Sequence, residues 1–356
     1  MQLFYTLHCD KLLQMNSKFY QLSKVFKNAP LSLLIKITGQ NVIYPFYHAV
    51  SDYELIHIKH LYNVRTSKAF EKDLDFFLKY YKPIEYYELI DSITKNILIK
   101  KNSFLLSFDD GLSEFDSVIA PILKRKGIPA ICFLNSAFID NKDLFFRYKE
   151  SVLLDKLKNS EVSSGLKNEI ELWFKQRKLT YNDNYDSLLS INYLERNNLD
   201  SFAKLIGIDF NEYLQKYKPY LSTDQINSLI KQGFIFGSHS IDHPMYSYLD
   251  ENEQILQTET SIKEITKKFN LNYRIFSFPF TDFSIKKSFF DKVLNKNNSV
   301  ADLTFGCAGL KHDSCLKNIQ RIPIEMGNFS AQNIIIGEYM YYILKAFLSK
   351  NIINRI

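Results

Sequence analysis

What the chain lacks narrows the reading before any motif is considered. Residues 1–27 contain apolar groups, but Asp10, Lys11, Asn16 and Lys18 interrupt them and no small-residue cleavage site follows, so they do not read as a secretory signal. The longest late apolar stretch, residues 334–348, carries Glu338 and Lys345 and falls short of the ~20 residues that a spanning helix needs. The 45 Lys and Arg exceed the 39 Asp and Glu to give a formal net charge of +6, yet they are scattered and build no basic block, which argues against nucleic acid as a partner. The four cysteines, Cys9, Cys132, Cys307 and Cys315, show no Cys-x-x-Cys pairing. Cys307 and Cys315 flank His312, a spacing open to a metal clip or a disulfide, but free thiols are the expectation. Cys132 reads as a buried strand residue. The expectation is a soluble, cytoplasmic protein, either end of which could touch a membrane peripherally.

With those classes set aside, the composition is that of a large globular core: 356 residues, 46% hydrophobic and 24% charged. The chain is organised around residues 103–111, Ser-Phe-Leu-Leu-Ser-Phe-Asp-Asp-Gly, an apolar run ending in two adjacent carboxylates and a glycine. Such a run reads as a buried strand whose last residues emerge at a mouth. Adjacent carboxylates repel unless a cation or shared proton compensates them, and a metal is the simplest compensation. Asp-Asp-Gly by itself is a turn signal. Downstream, a second apolar run, residues 234–236, leads into Gly-Ser-His-Ser-Ile-Asp-His-Pro, with His239 and His243 four apart. A histidine pair of this spacing is commonly packing or surface. One Asp and two His, with a position open for water, nevertheless form a catalytic metal set.

Ser-Phe-Asp-Asp-Gly followed by His-Ser-Ile-Asp-His resembles the first two motifs of the polysaccharide deacetylases, carbohydrate esterase family 4, also described as the chitooligosaccharide deacetylase homology domain. The likeness runs from about residue 42 to about residue 325 and is interrupted in the middle. It implies that Asp109 is the general base and that Asp110, His239 and His243 hold a divalent metal, most commonly zinc. It also implies hydrolytic removal of N-acetyl, or O-acetyl, groups from a sugar or polysaccharide, an N-acetylated carbohydrate as partner, and a setting in cell-surface glycan biosynthesis. Tyr44-Pro45-Phe46-Tyr47-His48-Ala49-Val50 is similar to the family's entry strand and would bring Tyr47 and His48 near the site, with an exposed loop as the other reading of His48. Phe280 falls where the third motif has an aromatic after proline, beside the oxyanion. Together with Tyr47 and Phe283 it could stack on a sugar ring.

Two departures shape the expectations. The third motif's arginine is absent from Phe276-Ser277-Phe278-Pro279-Phe280. Ser277 is too short to replace a guanidinium. Arg321, opening the last predicted strand, is a candidate to orient the base if its guanidinium lies within about 8 Å of the Asp109 carboxylate; otherwise it pairs with a surface carboxylate. The general-acid motif Leu-x-His is matched in letters by Leu310-Lys311-His312, but these follow Gly309 and close no apolar strand, so His312 stands against a loop reading. A catalytically inactive glycan-binding protein on the same fold is the alternative that these departures motivate. An interaction protein held at a membrane by its terminal helices is a third.

The pattern along the chain predicts an α/β fold, a distorted or incomplete parallel (β/α) barrel with a helical insertion and helical terminal extensions. Strand signals at 42–46, 103–108, 130–134, 234–236, 275–278, 302–305 and 321–324 alternate with amphipathic helices. Residues 1–40 read as a helical N-terminal extension, 41–330 as the barrel, 141–220 as a mostly helical insertion, and 331–356 as a C-terminal helix. The insertion would lie over the barrel mouth and shape the substrate groove, with the metal site independent of it. Trp173, the sole tryptophan, reads as core of that insertion in preference to a sugar platform.

Overall fold

The computed structural model describes Gln21, residues 30–295 and residues 297–355, apart from the side chain of residue 184. Most of the expected N-terminal extension, and Cys9 with it, lies outside the described residues; its last part, Leu31–Thr38, is helical. Eight strand segments form one parallel sheet: β1 (Pro45–Tyr47), β2 (Leu106–Phe108), β3 (Ala130–Leu134), β4 (Ile235–Ser238), β5 (Ile275–Ser277), β6 (Leu303–Gly306), β7 (Asn318–Gln320) and β8 (Ile322–Pro323). Their order is β7-β6-β5-β4-β3-β2-β1-β8. The two ends of this sheet are consecutive in the chain. Arg321 N donates to Gly306 O of β6 at 3.2 Å, and the next amide, Ile322 N, donates to Tyr44 O before β1 at 2.8 Å. Successive amides of a strand point to opposite sides, so one run of chain, 318–323, closes the barrel between β6 and β1.

Strand periodicity decides which side chains face the axis. On β3, Ile131 and Phe133 point inward and pack with Leu105, Ile275, Leu303 and Phe305. Ala130, Cys132 and Leu134 point outward against the surrounding helices, in the cluster that also holds Phe70, Leu74 and Phe77 of α1 (Ser67–Tyr80). Both faces are covered, which is why these strands read as continuous apolar runs. The helix starts follow their capping signals. Thr66 Oγ1 accepts from Ala69 N at 3.2 Å. Ser222 with Gln225 opens Thr223–Lys231, and Asp250 with Glu253 opens Glu251–Phe269.

Between β3 and β4 the chain leaves the barrel for the insertion, beginning with α2 (Phe146–Lys158) and continuing through Ser164–Gln176, Asn184–Leu189, Asn198–Leu205 and Phe210–Tyr217. Its core includes Leu153, Ile170, Phe174, Leu188 and Phe202, all buried. Trp173 belongs to this core, its ring 4.9 Å from that of Phe202. The insertion is stitched to the barrel by main-chain bonds from Leu221 N to Gly111 O and from Ser113 N to Pro219 O, at 2.9 and 2.8 Å.

The late helix is shorter than expected. It spans Ala331–Phe347; residues 352–353 then return as a strand that pairs in parallel with His312–Asp313. Among the described residues no helix is long and apolar enough to cross a membrane.

Candidate active site

The inward parity of the strands continues past their last paired residues and assembles the site. On β2 the inward positions 105 and 107 are followed by Asp109, and on β4 positions 235 and 237 are followed by His239. Arg321 follows Ile319, and Glu325 stands two and four residues beyond the inward positions 323 and 321. All these groups meet at the C-terminal ends of the strands, the face on which parallel β/α barrels build their sites. Immediately after Asp109 the strand conformation ends. Asp110 adopts φ 71°, and Gly111 continues at φ 63°. This left-handed turn is costly for a non-glycine residue and swings the second carboxylate beside the first instead of through the wall.

The two carboxylates have separate partners. Asp109 is buried and held by a two-pronged ion pair, Arg321 Nη1 to Oδ1 and Nη2 to Oδ2, both at 2.8 Å. The same guanidinium donates to Ser107 Oγ at 3.0 Å and to Ser277 Oγ at 2.6 Å, and it lies against the face of Phe46, 4.3 Å from the ring centroid. Ser277 thus supports the arginine from the position where the motif expected one. Burial by itself would raise the Asp109 pKa, but the charge and hydrogen bonds of Arg321, with the His239 and His48 rings, together hold the carboxyl below its ordinary range.

Asp110 Oδ1 faces the two histidines, 3.6 Å from His239 Nε2 and 3.3 Å from His243 Nε2. It is a buried oxygen with no hydrogen-bond partner. His239 Nδ1 is 2.8 Å from Ser277 O, which sets that nitrogen as the donor and turns Nε2 toward Asp110 as an acceptor. Burial pushes the His239 pKa down to about 4, so the ring is neutral and keeps its lone pair. Asp110, His239 and His243 offer ligand atoms that all lie within 4.8 Å of one another. An orphaned carboxylate oxygen converging with two imidazole nitrogens fits a divalent cation: the three residues could hold one. His243 itself sits at φ 60°, with its ring 4.7 Å from Phe280 and 4.3 Å from Phe145.

The second oxygen of Asp110 is satisfied from above. Tyr148 of α2 donates its hydroxyl to Oδ2 at 2.6 Å, and both groups are buried. The insertion nevertheless reaches the site, because Tyr148 and Phe145 both touch candidate ligands. No motif announces either residue. Glu325 was also missed, although its parity with Arg321 was available. It accepts from His48 N at 2.7 Å and Ala49 N at 3.1 Å, and lies 2.7 Å from His48 Nδ1. Burial lowers the His48 pKa, but the Glu325 hydrogen bond and charge overcome this and push it up to about 9.

A cavity of about 1130 Å³ opens over these groups, and His48, Asp109, Asp110, His239, His243, Phe280, Phe283 and Arg321 all line it. Two other candidates stand elsewhere. Tyr47 points outward by strand parity and is fully buried among the packing helices, with its hydroxyl on Asp73 Oδ2 at 3.3 Å. His312 is outside the cavity lining. The strand pairing of residues 312–313 turns its ring to Gln40, 2.7 Å from Nε2, and toward Tyr342. Cys307 and Cys315 do not bridge each other.

Comparison with known proteins completes the assignment. A model of the polysaccharide deacetylase family matches residues 99–296. The chain belongs to the polysaccharide deacetylase family. It is by that membership a carbohydrate-deacetylating hydrolase. Among solved structures it is similar to the Streptococcus pyogenes deacetylase PplD in complex with acetate, at 14% identity and a TM-score of 0.52, over 83% of this chain and 97% of that one. It is also similar to IcaB from Ammonifex degensii, at 14% identity and a TM-score of 0.51, over 84% and 97% of the two chains. At such identity the likeness is one of fold. No curated protein sequence matches the chain.

Proposed function

We propose that this deacetylase hydrolyses the N-acetyl group of a sugar within a glycan, with Asp109 as general base and His48 as general acid, at a divalent metal held by Asp110, His239 and His243. The single observation that supports this reading best is the division of labour between neighbouring carboxylates. Asp109 has both oxygens on Arg321, whereas Asp110 directs a buried, unpartnered oxygen at two imidazoles.

Asp110, His239 and His243 would hold the ion, zinc by preference for nitrogen and oxygen donors, which when bound would supply Lewis acidity toward the acyl oxygen and lower the pKa of a water. Asp109 takes the proton of that water. Its depressed pKa keeps it ionised throughout the neutral range at some cost in basicity, which is acceptable where the water is itself acidified. The water oxygen bonds to the acyl carbon, and the C–N bond then breaks. The amine leaves with a proton from His48, whose pKa near 9 keeps it charged at neutral pH. Acetate and the free amino sugar are the products. We assign the backbone N–H of Phe280, a residue that lines the cavity beside His243, to the acyl oxygen as it gains charge.

The alternative of an inactive glycan binder was motivated by a missing arginine and a missing acid. Arg321 and His48 now stand as candidates for both roles. The test is to incubate the zinc-loaded chain with a panel of N-acetylated oligosaccharides and to measure free amine and acetate together. Equal release of both, abolished by a chelator, is expected. Acetate without amine would point to an ester substrate, and no release from metal-bound protein across the panel would favour the binder.

A further inference from the structure

A second arginine, Arg355, also lines the cavity, and its hydrogen bonds go to other groups than the candidate metal ligands. Residues 352–353 pair beside 312–313, and two residues on, the Arg355 side chain is buried. There it meets two carboxylates, Asp282 and Asp313, which are 2% and 8% exposed. Arg355 Nη2 bonds to both, at 2.6 Å for Asp313 Oδ2, while Nη1 donates to the Asp282 carbonyl oxygen at 2.6 Å. Gln320 Nε2 donates to Asp282 Oδ2 at 2.6 Å and to Asp313 Oδ2 at 3.0 Å, and Asn318 Nδ2 donates to the same two oxygens at 2.9 Å. One guanidinium and two amides therefore converge on a pair of acids that would otherwise repel each other in a dry environment. Burial would raise the Asp282 pKa, but Arg355 and the two amides together hold it below its ordinary range.

The network reaches the chemistry through one short loop. Asp282 is two residues after Phe280, whose ring packs on His243 and whose carbonyl oxygen accepts from Cys307 Sγ at 3.1 Å. Gln320 is directly followed by Arg321, the partner of Asp109. We propose that Arg355 is a positioning residue: through its fork on the Asp282 carbonyl and carboxylate it sets the 279–285 loop, and with it Phe280, whose ring packs on His243. A fork matters here because the two nitrogens engage a main-chain and a side-chain oxygen of one residue at once. A lysine would keep the charge and lose that geometry.

The test uses Arg355→Lys and Arg355→Met in the full chain. Loop misplacement on the order of 1 Å costs up to ~10²-fold in rate, so Arg355→Lys should fold, keep its metal content, and lose about tenfold or more in kcat with a smaller change in KM. Amide exchange should accelerate in peptides covering 279–285 and stay unchanged in those covering 106–112. Arg355→Met should do the same more strongly, unless the two unpaired acids prevent folding, in which case the lysine variant alone decides. Wild-type kcat and wild-type exchange in Arg355→Lys would overturn the proposal, as would a loss of rate that merely follows loss of metal. The kinetic readout rests on the deacetylase reading above, whereas the exchange readout does not. A wild-type chain that releases no acetate would sink that reading and leave the loop result to stand or fall separately.

Discussion

Asp110 is supported from two sides, and the two sides are built differently. From below, the barrel brings His239 to its Oδ1 by strand parity; from above, α2 of the insertion brings the Tyr148 hydroxyl to its Oδ2. The floor is periodic: once the strands of a closed parallel barrel are placed, positions 109, 239 and 321 have no other direction to face. The roof is aperiodic. Tyr148 reaches the site only because a helical cluster with its own core docks through main-chain bonds to Gly111 and Ser113, on either side of Leu112. The floor therefore carries Asp109, His239 and Arg321 in fixed register, and the roof adds a hydrogen bond to Asp110, a candidate ligand.

The comparison is tested most severely at the floor. Asp109→Asn should lower kcat by ~10²- to 10⁴-fold, the usual range for a general base, and leave metal content intact. Asp110→Ala should lose metal and activity together. Elemental analysis of the two purified variants, beside their rates, checks the division, and a metal-free Asp109→Asn would reverse it. Arg321→Met comes next. It strands the buried Asp109 carboxylate, so a urea melt should show about 3–5 kcal/mol of lost stability, together with a strong fall in turnover and little loss of metal. A variant with wild-type turnover would remove Arg321 from the machinery.

The roof should give smaller effects. Tyr148→Phe deletes one hydrogen bond to a candidate ligand, and such partners are typically worth ~10- to 100-fold in metal affinity. Competition with a chromogenic chelator measures it. Unchanged affinity would mean that the insertion covers the site without supporting it, and that replacing 142–218 by a short linker should leave the metal in place after all.

The smallest expected effect is a shift in pH dependence. The His48 pKa is raised from 6.5 to about 9 by Glu325, so the protonated ring is the stabilised form in the folded chain. The pair's contribution to stability is complete below pH about 6.5 and is lost as pH rises through about 9. The alkaline limb of kcat should fall in the same place, since the acid form donates the proton. Glu325→Gln removes the charge and should move that limb down by roughly a unit or more, read from a pH–rate profile. An alkaline limb that does not move would exclude His48 as the acid and return that role to another group.

Much of this site was legible in the residues alone. An apolar run ending in Asp-Asp-Gly reads as a buried strand that surfaces with two charges once it is set beside a second run ending in two histidines four apart, a set that could hold a compensating cation. The barrel class follows from the alternation of such runs with capped amphipathic helices, and Trp173 follows from the helical spacing around it. These are local signals, written in periods of two and of about 3.6 residues. The rest depended on which distant segments share a wall. Arg321 satisfies Asp109 because the run 318–323 closes the barrel between β6 and β1, so a residue 212 positions away in the chain lies 2.8 Å from its carboxylate. Tyr47 and His48 are neighbours in sequence, yet strand parity and the closing strand send one into the helix layer and the other to Glu325. His312 matches an acid motif letter for letter, but pairing with residues 352–353 turns it to Gln40 and Tyr342. Short-range pattern determines which residues can carry charge at a strand end. Closure of the sheet and docking of the insertion determine which of those charges meet, because a buried ion pair or ligand set is defined by separations of a few ångströms that no periodicity along the chain encodes.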